Sequence, residues 1–292
     1  MKCIKRFLSW VFRKLPDCKI KYVIQYSKTK HKIPNIIAPR DYSEFIFRDI
    51  LLNRNNQKAL LADKYRVRAI VEEKGYKNLL SKVYGTWVNA YDIDFDSLPE
   101  KFVLKCNHSC AMNIICTDKS KLDKKHVIET LNQWIKTKHP VYFESHYRKI
   151  KPLIYCEEYI DGNLNGLPID YKFHCVYGKP LFVLCCYNRD SEFNASLKTY
   201  DLNWHRLPYL NAGVEDVHFD ILKPKNLDKM IEYASALSKG FAHMRIDFYN
   251  VGNRVIFGEY TLTPQGGWLN YFTQETLDMI GDRIKSGGNG KK

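Results

Sequence analysis

Hydrophobic and polar residues alternate most regularly in the segment 243–268, near the end of the chain. Arg245 and Asp247 are two positions apart, so in a strand they share one face. The polar turn at 250–253 contains glycine and predicts a hairpin whose second strand runs over 254–261. The pattern therefore predicts two paired antiparallel strands that carry charged side chains.

An evenly closed hairpin brings Asp247 opposite Glu259, with Thr261 next to Glu259 on the same face. Regular alternation also places Val255 and Phe257 on that face. Hard oxygen ligands gathered in this way suit magnesium, which keeps several waters and shares its coordination with phosphates. The alternative is that these are ordinary charges on a solvated sheet.

Apolar residues recur every three to four positions in several other segments, which predicts helices there. These helices are expected at 42–53, 62–74, 124–138 and 227–237, the second running from a cap at Asp63 to a stop at Gly75. Alternating segments predict strands at 101–106, 152–160, 171–177 and 181–187, with a turn at 178–180 between the last two. The mixture of elements predicts an α+β protein.

The composition limits the class of partner. The chain has 292 residues and a formal charge of +14, which favours polyanionic partners such as nucleotide phosphates, acidic polysaccharides or anionic lipid. It has no arginine-rich tract and no aromatic RNA-binding motif, so no nucleic acid partner is expected. Nine cysteines without a CxxC pair indicate reduced thiols and a cytoplasmic protein.

The first 15 residues place apolar side chains on one helical stripe and lysines and arginines elsewhere. Such a basic amphipathic helix lies on an anionic membrane surface or docks on the protein's own core, and the sequence leaves both readings open. The first reading predicts peripheral contact with the inner face of the membrane.

Three further blocks precede the hairpin. The first, ADKYRVR at 62–68, contains Lys64 and Arg68. The second, FVLKCNHSCAMN at 102–113, places Lys105 at the end of a strand before a loop of small residues. A lysine there would contact phosphate as a point charge. The loop residues Asn107, His108 and Ser109 and the backbone N–H groups would cap the phosphate oxygens.

The third block, IYCEEYIDG at 154–162, carries Glu157, Glu158, Tyr159 and Ile160, and it is followed by DYKFHCVYGKP from Asp170. In this order and spacing, the four blocks make the chain resemble ATP-grasp proteins. In detail it resembles the TupA-like branch, which is associated with teichuronopeptide and other bacterial surface polysaccharides. The resemblance covers about 60–267 and implies an ATP-grasp fold, in which two α+β subdomains clamp ATP.

The resemblance implies four segments. They are a basic N-terminal segment at 1–40, a mainly helical region at 41–98, an ATP-grasp domain at 99–285 and a disordered tail at 286–292. The nucleotide cleft would lie between 99–160 and 161–285.

The resemblance also implies a role for each candidate. Lys64, Arg68, Lys105 and Lys172 would approach phosphates, with Asn107, His108 and Ser109 capping them. The stretch of Glu157, Glu158, Tyr159 and Ile160 would bind adenine, and Asp170 would bind ribose. Asp247 and Glu259 would hold Mg²⁺, with Thr261 where the family has asparagine, and Arg245 would act with Lys105 in catalysis. Cys110 and Ala111 stand where the family carries glycine.

The implied reaction is ATP-dependent carboxylate-amine ligation through an acyl phosphate, with sugar-linked carboxylates and amines as substrates. A uronic acid of a surface polysaccharide precursor is the expected acid. The segments containing His146, Tyr147 and Arg148 and containing Trp204, His205 and Arg206 are candidates for the acceptor site. The alternatives are a phosphotransferase or glycosyltransferase of polysaccharide biosynthesis, or a non-enzymatic basic adaptor.

Overall fold

A computed structural model describes residues 19–52, 57–138, 144–162, 168–188, 195–214 and 220–289. The predicted amphipathic helix at 1–15 lies outside these residues. The helices are α1 (Lys19–Lys30), α2 (Tyr42–Leu52), α3 (Lys58–Ala62), α4 (Val67–Glu73), α5 (Lys124–Ile135), α6 (Leu227–Ser238) and α7 (Gln274–Asn289). The strands are β1 (Val83–Trp87), β2 (Phe102–Cys106), β3 (Asn113–Cys116), β4 (Ile154–Glu158), β5 (Asp170–Val176), β6 (Lys179–Tyr187), β7 (Ser196–Tyr200), β8 (Met244–Val251) and β9 (Arg254–Thr261).

The strands form two antiparallel sheets. The first has the order β1-β4-β2-β3, and α5 packs on it through Val127 and Leu131. The second has the order β7-β6-β5-β8-β9 and is covered on both faces. One face packs against α4 and α6, and the other packs against α1, α2 and α7. Two covered faces explain why β6 is almost continuously hydrophobic after its first residue. In the part of the chain that is described, no helix is long and apolar enough to cross a membrane.

Two features of the region 41–98 differ from expectation. The region contributes β1, which pairs with β4, so the first sheet begins before the predicted boundary at 99. The helix expected at 62–74 begins only at Val67, as α4, and a separate short helix, α3, ends at Ala62. Asp63, the expected cap, accepts the backbone N–H groups of Tyr65 and Arg66 in the turn that leads into α4.

The C-terminal helix also extends further than expected. Residues 286–289, predicted to belong to a disordered tail, continue α7. The Tyr177 ring lies against this last turn, where a Cβ on Gly287 would be 2.2 Å from the ring. Packing that only a glycine permits therefore favours the helical conformation here, despite the weak helix propensity of glycine.

The predicted hairpin is confirmed, including the pairing of Asp247 with Glu259. One detail was wrong, because the strand alternation does not continue evenly through β9. A bulge at Gly258 shifts the register, so that Phe257 pairs with Phe248 and packs with Val255 and Tyr260 in the core. Val255 and Phe257 therefore lie on the face opposite Glu259.

Candidate active site

A cleft between the two sheets brings together most of the candidate residues. Its described lining comprises Lys64, Arg68, Ser81, Lys105, Met112, Asn113, Tyr155, Glu157, Ile160, Asp170, Asp247, Tyr249, Phe257, Gly258 and Glu259. An adjoining hollow is formed by Val103, Lys105, Asn113, Ile115, Glu157, Glu158, Tyr159, Ile160, Pro168 and Tyr249. The cleft thus has a charged inner part and a more apolar outer part.

The inner part centres on the hairpin of β8 and β9. The Arg245 guanidinium donates from Nε to Asp247 Oδ1 at 2.7 Å and from Nη2 to Asp247 Oδ2 at 2.6 Å. The same Nη2 lies 2.9 Å from Glu259 Oε1, which also accepts the Thr261 hydroxyl at 2.7 Å. Two carboxylates therefore converge on one cationic nitrogen. Carboxylate oxygens placed close together in this way suit a hard divalent cation as ligands.

These two carboxylates would need additional ligands. Within the described ranges, no group of three or more His, Cys, Asp or Glu side chains is arranged to hold a metal ion. Magnesium is commonly bound through one or two carboxylates, with waters and substrate phosphates completing the coordination. Asp247, Glu259 and the neighbouring Thr261 hydroxyl fit that mode of binding, in contrast to a closed structural metal site.

Lys172 extends the charged network to β5. Its ammonium group contacts Asp170 and lies 2.7 Å from Asp247 Oδ2. Burial alone would lower the pKa of Lys172, but Asp170 and Asp247 outweigh it, and the pKa is raised above its usual value. Lys172 therefore remains a cation in the cleft and helps to neutralise its carboxylates.

A second network occupies the first sheet. Lys105 forms an ion pair with Glu157, whose other oxygen accepts the Ser81 hydroxyl at 2.7 Å. Arg68 donates to the Ser81 hydroxyl at 3.1 Å and to its carbonyl at 2.5 Å. Burial opposes ionisation of both partners. Even so, their attraction raises the pKa of Lys105 and lowers that of Glu157. Both groups are therefore charged at neutral pH.

Lys64 connects the helical region to the inner part of the cleft. It precedes α4, and its backbone N–H donates to the Asn107 carbonyl at 3.1 Å. Its side-chain nitrogen lies 4.0 Å from Glu259 Oε2. Lys64, Arg68, Lys105, Lys172 and Arg245 thus surround the cleft, each near a carboxylate or a polar group. A polyphosphate placed here would meet cations from both sheets.

The loop after β2 is organised differently from expectation. Asn107 is fully buried, donates to Asp63 Oδ1 at 2.9 Å and accepts from the Leu153 N–H at 2.7 Å. His108 and Ser109 are also buried, and His108 Nε2 lies 3.2 Å from the Trp134 carbonyl. None of the three side chains is in the described cleft lining, since Asn107 instead fixes the start of α4 to the loop before β4.

Ala111 occupies a position that suits glycine. Its φ of 59° is in the left-handed region, which side chains with a Cβ disfavour. The glycine expected in this loop is therefore replaced by an alanine that keeps a glycine-like backbone conformation.

The outer hollow places Tyr159 and Ile160 beside apolar side chains suited to a planar ring. Glu158 is engaged at its margin, where its carboxylate accepts from the Lys82 N–H at 3.0 Å and pairs with Arg254 at 2.8 Å. Its backbone N–H donates to the Lys82 carbonyl at 2.9 Å. The Glu158 backbone donor is consequently already used, so adenine recognition would fall to the segment that follows it.

Sequence reasoning did not single out several residues that line the cleft, among them Ser81, Met112, Asn113, Tyr155 and Tyr249. Tyr249 follows Asp247 by two positions in β8, so strand alternation would have placed it on the same face. No local pattern marks Ser81, because its role depends on the pairing of β1 with β4.

The two acceptor-site candidates differ in their placement. His146 and Tyr147 line a small cavity next to Glu259 and Thr261. Trp204 instead stacks on Tyr200, and its indole N–H donates to the Ile221 carbonyl at 2.8 Å. His205 lies 3.0 Å from Asp201. These contacts hold Trp204 and His205 in place within their own loop, away from the described cleft lining.

A family model described as TupA-like ATPgrasp matches residues 44–285. The chain belongs to the TupA-like ATP-grasp family. The resemblance drawn from the four sequence blocks and the α+β ATP-grasp fold are thereby confirmed. An ATP-grasp protein binds ATP, and the charged cleft between the sheets is the candidate nucleotide site.

Solved structures with a similar fold include D-alanine–D-alanine ligase from Bacillus anthracis, at 15% identity, with 80% of this chain and 70% of that chain covered and a TM-score of 0.45. The ATP-grasp ligase PsnB, in complex with a minimal precursor variant, Mg and ADP, is 9% identical over 84% of this chain and 67% of that chain, with a TM-score of 0.42. D-alanine–D-alanine ligase from Helicobacter pylori is 15% identical over 78% and 61%, with a TM-score of 0.42. A search of curated proteins found no significant match.

Proposed function

We propose that this TupA-like ATP-grasp protein is a carboxylate-amine ligase that forms an amide through an acyl phosphate. The observation that supports this most strongly is the convergence of Asp247 and Glu259 on Arg245, beside a cleft lined by Lys64, Arg68 and Lys105. Such a site offers cation ligands and phosphate-binding groups side by side. It offers them without an enzyme nucleophile, which this reaction does not need.

In the first step a substrate carboxylate oxygen attacks the γ-phosphorus of ATP, and ADP leaves. Lys105 and Arg68 hold phosphate oxygens, and Lys172 offsets negative charge near Asp247. Asp247, Glu259 and Thr261 would hold magnesium, whose charge would stabilise the β- and γ-phosphate oxygens. The residues of the chain act here by position and charge.

In the second step an amine attacks the acyl carbon and phosphate leaves. Arg245 is placed to stabilise the negative charge that develops on the acyl oxygen, because it lies next to both metal-site carboxylates. It must first release at least one of its present bonds to Asp247 and Glu259. Binding of a cation between those carboxylates would free the guanidinium for this role.

The acid substrate is proposed to be a uronic acid of a bacterial surface polysaccharide precursor, attached to a nucleotide. The TupA-like assignment and the formal charge of +14 support an acidic sugar substrate. We place the reaction in the cytoplasm, where ATP is available, with residues 1–15 as the segment that would touch the inner face of the membrane.

Mass spectrometry of reaction products tests the proposal. The protein is incubated with ATP, magnesium, a panel of uronic-acid nucleotides and a panel of amino acids and small amines. We expect ADP, phosphate and a product heavier than the acid by one amine minus water. A stable phosphate ester formed without amine would instead indicate a phosphotransferase, and no ADP with any pair would contradict the proposal.

Variants of the metal-site carboxylates provide the control for specificity. Asp247→Asn and Glu259→Gln should lower ADP release by at least about a hundredfold, because misplaced phosphates lose the positioning on which catalysis depends. The surface substitution Asp282→Asn, on α7, removes a carboxylate that pairs only with Lys285 in an exposed ion pair and should leave turnover unchanged. Turnover that survives both metal-site changes would contradict the ligand assignment.

A further inference from the structure

Next to the metal-site carboxylates lies a small second cavity, between the short helix Ser145–Lys149 and the end of β9. Its described lining is Leu61, Ala62, Lys64, Val67, His146, Tyr147, Glu259, Tyr260, Thr261, Leu262 and Thr263. Lys64 and Glu259 also line the nucleotide cleft, so the two spaces meet at these residues. A group in the second cavity would therefore lie next to Lys64 and Glu259 of the nucleotide cleft.

Glu144 stands at this cavity. Its carboxylate accepts a hydrogen bond from the Thr263 hydroxyl, and Thr263 lines the cavity and is itself buried. Glu144 has φ 43° and ψ 46°, a left-handed conformation that is unfavourable for a residue with a side chain. Strain of this kind persists only where the surrounding structure imposes it, and it is frequent at functional sites.

Tyr147 connects Glu144 with the reaction centre. Burial raises its pKa, and the carboxylates of Glu144 and Glu259 raise it further, while Arg245 acts in the opposite direction. The charges of Glu144, Glu259 and Arg245 thus act on one tyrosine side chain, which lines the second cavity.

We propose that this second cavity receives the ammonium group of the amine substrate and that Glu144 is the catalytic base that takes its proton. The inference rests on the ligase function proposed above. An amine substrate arrives mainly as an ammonium ion, which needs acceptors to bind and must lose a proton to react. The Glu144 carboxylate and the Thr263 hydroxyl would provide these acceptors, since hydroxyl oxygens and carboxylates accept from N–H donors.

Attack of the amine on the acyl phosphate begins with a proton transfer. Glu144 takes one proton from the ammonium group, which leaves a lone pair on nitrogen. This pair forms the new N–C bond at the acyl carbon, and the bond from that carbon to the phosphate oxygen breaks, so that phosphate leaves with the electron pair. The released phosphate takes the second proton from the nitrogen and becomes hydrogen phosphate, and the neutral amide remains.

The titration of Glu144 supports this role. Burial raises its pKa to about 7, and Glu259 adds to the increase, whereas the Thr263 hydrogen bond and Lys58 oppose it. Tyr22 and Tyr147 are the other titratable groups that feel the Glu144 charge. A base with a pKa near the working pH combines a useful ionised fraction with sufficient proton affinity.

Hydroxylamine gives a test that separates this role from a structural one, because it is already unprotonated at neutral pH and needs no base. Wild type, Glu144→Gln and Glu144→Asp are assayed with ATP, magnesium and UDP-glucuronic acid. The nucleophile is hydroxylamine or, in parallel, glycine, L-alanine, L-glutamate and L-lysine. Glutamine keeps an oxygen that accepts the Thr263 hydrogen bond, and the exposed change Glu232→Gln on α6 is the control for loss of a carboxylate.

We expect Glu144→Gln to lower turnover with the amino acids by about a hundredfold or more, the usual contribution of a general base. Hydroxamate formation should stay within about twofold of wild type, on the same principle that no base is required. The wild-type rate with amino acids should rise with pH through about 7, as the Glu144 pKa requires, and Glu144→Gln should lose this rise. Glu144→Asp should retain the pH dependence at a reduced rate.

Three results would overturn the inference. Equal losses with hydroxylamine and with amino acids would show that Glu144 supports the structure or the first step, and undiminished amino acid turnover would show that it is not the base. No ATP-dependent hydroxamate from wild type would contradict the ligase function itself, and the inference with it. The first two results would leave that function standing.

Discussion

Asp247 and Glu259 are direct cross-strand partners in the hairpin of β8 and β9, and one nitrogen of Arg245 lies within 2.9 Å of both. The guanidinium thus lies at the point where the two carboxylates converge, which is also where a metal ion would bind. Cation binding and release of Arg245 are consequently linked. In the proposed mechanism, the bound cation would neutralise the phosphates, and the released arginine would then contact the acyl group.

Thr261 follows Glu259 by two residues and donates its hydroxyl to that carboxylate, so it offers a direct test of the metal arrangement. Thr261→Asn replaces a hydroxyl by an amide oxygen, which is a better ligand for magnesium. The magnesium concentration for half-maximal ADP release should fall, by about tenfold if the effect matches that of other residues near metal sites. Thr261→Val should raise it, and a Thr261→Asn protein with unchanged magnesium dependence would place the metal elsewhere.

The buried pair of Lys105 and Glu157 should be sensitive to removal of one partner. Lys105→Met leaves the Glu157 charge buried without its cation, and the free energy of unfolding should fall by about 3 kcal/mol. The double change Lys105→Met with Glu157→Gln should recover most of this loss. Urea unfolding at pH 7 measures both, and a double variant no more stable than Lys105→Met would show that the pair is not coupled.

The same pair predicts a pH dependence. The pKa of Glu157 is lowered in the folded protein, so its contribution to stability is present above its usual acidic pKa and lost as the pH falls. The pKa of Lys105 is raised, so its contribution is lost only in strongly alkaline solution. Wild type should therefore lose stability more steeply than the double variant below about pH 5.

The bulge at Gly258 should be required for the position of Asp247. A Cβ at Gly258 would lie 3.1 Å from the Asp247 carbonyl oxygen, so Gly258→Ala would push the two strands apart by a few tenths of an ångström. Because displacements of this kind at a reacting centre are costly, ADP release should fall by about tenfold to a hundredfold. Thermal unfolding is measured in parallel. A loss of activity fully explained by unfolding would contradict this assignment.

Replacement of Ala111 by glycine should make the folded protein more stable. Relief of its left-handed strain outweighs the additional entropy of glycine in the unfolded chain, so Ala111→Gly should raise the free energy of unfolding by about 0.5–1 kcal/mol. Ala69 is exposed in the interior of α4, and Ala69→Gly should lower stability by about 1 kcal/mol. If the two substitutions change the free energy of unfolding in opposite directions in urea titrations, the backbone strain at Ala111 is confirmed. Changes in the same direction would contradict it.

The sequence was most informative where short-range rules determine the structure. The turn and the alternation around it predicted the pairing of Asp247 with Glu259, because hairpin register depends on neighbouring residues. The bulge at Gly258 was missed, although a glycine inside a strand is a known sign of one. Correct pairing at Glu259 was therefore accompanied by a wrong face for Val255 and Phe257.

Long-range contacts explain the other differences. Asn107 was a candidate phosphate ligand until its bond to Asp63, 44 positions earlier, showed that it holds the loop and the start of α4 together. Asp63 also accepts the backbone N–H groups of the turn before α4, so the cap expected there is joined to the loop after β2. Glu144 belongs to no motif, and its significance comes only from Thr263, Tyr147 and the hairpin in three dimensions.

The transfer of oxygen-18 from the acid to phosphate tests the central claim most directly. The carboxylate of the acid identified by product analysis is labelled, the ligation is run with ATP and magnesium, and the released phosphate is analysed by mass spectrometry. Ligation through an acyl phosphate predicts one labelled oxygen in each phosphate released, with ADP in equal amount. Unlabelled phosphate, or AMP and pyrophosphate as products, would contradict the account.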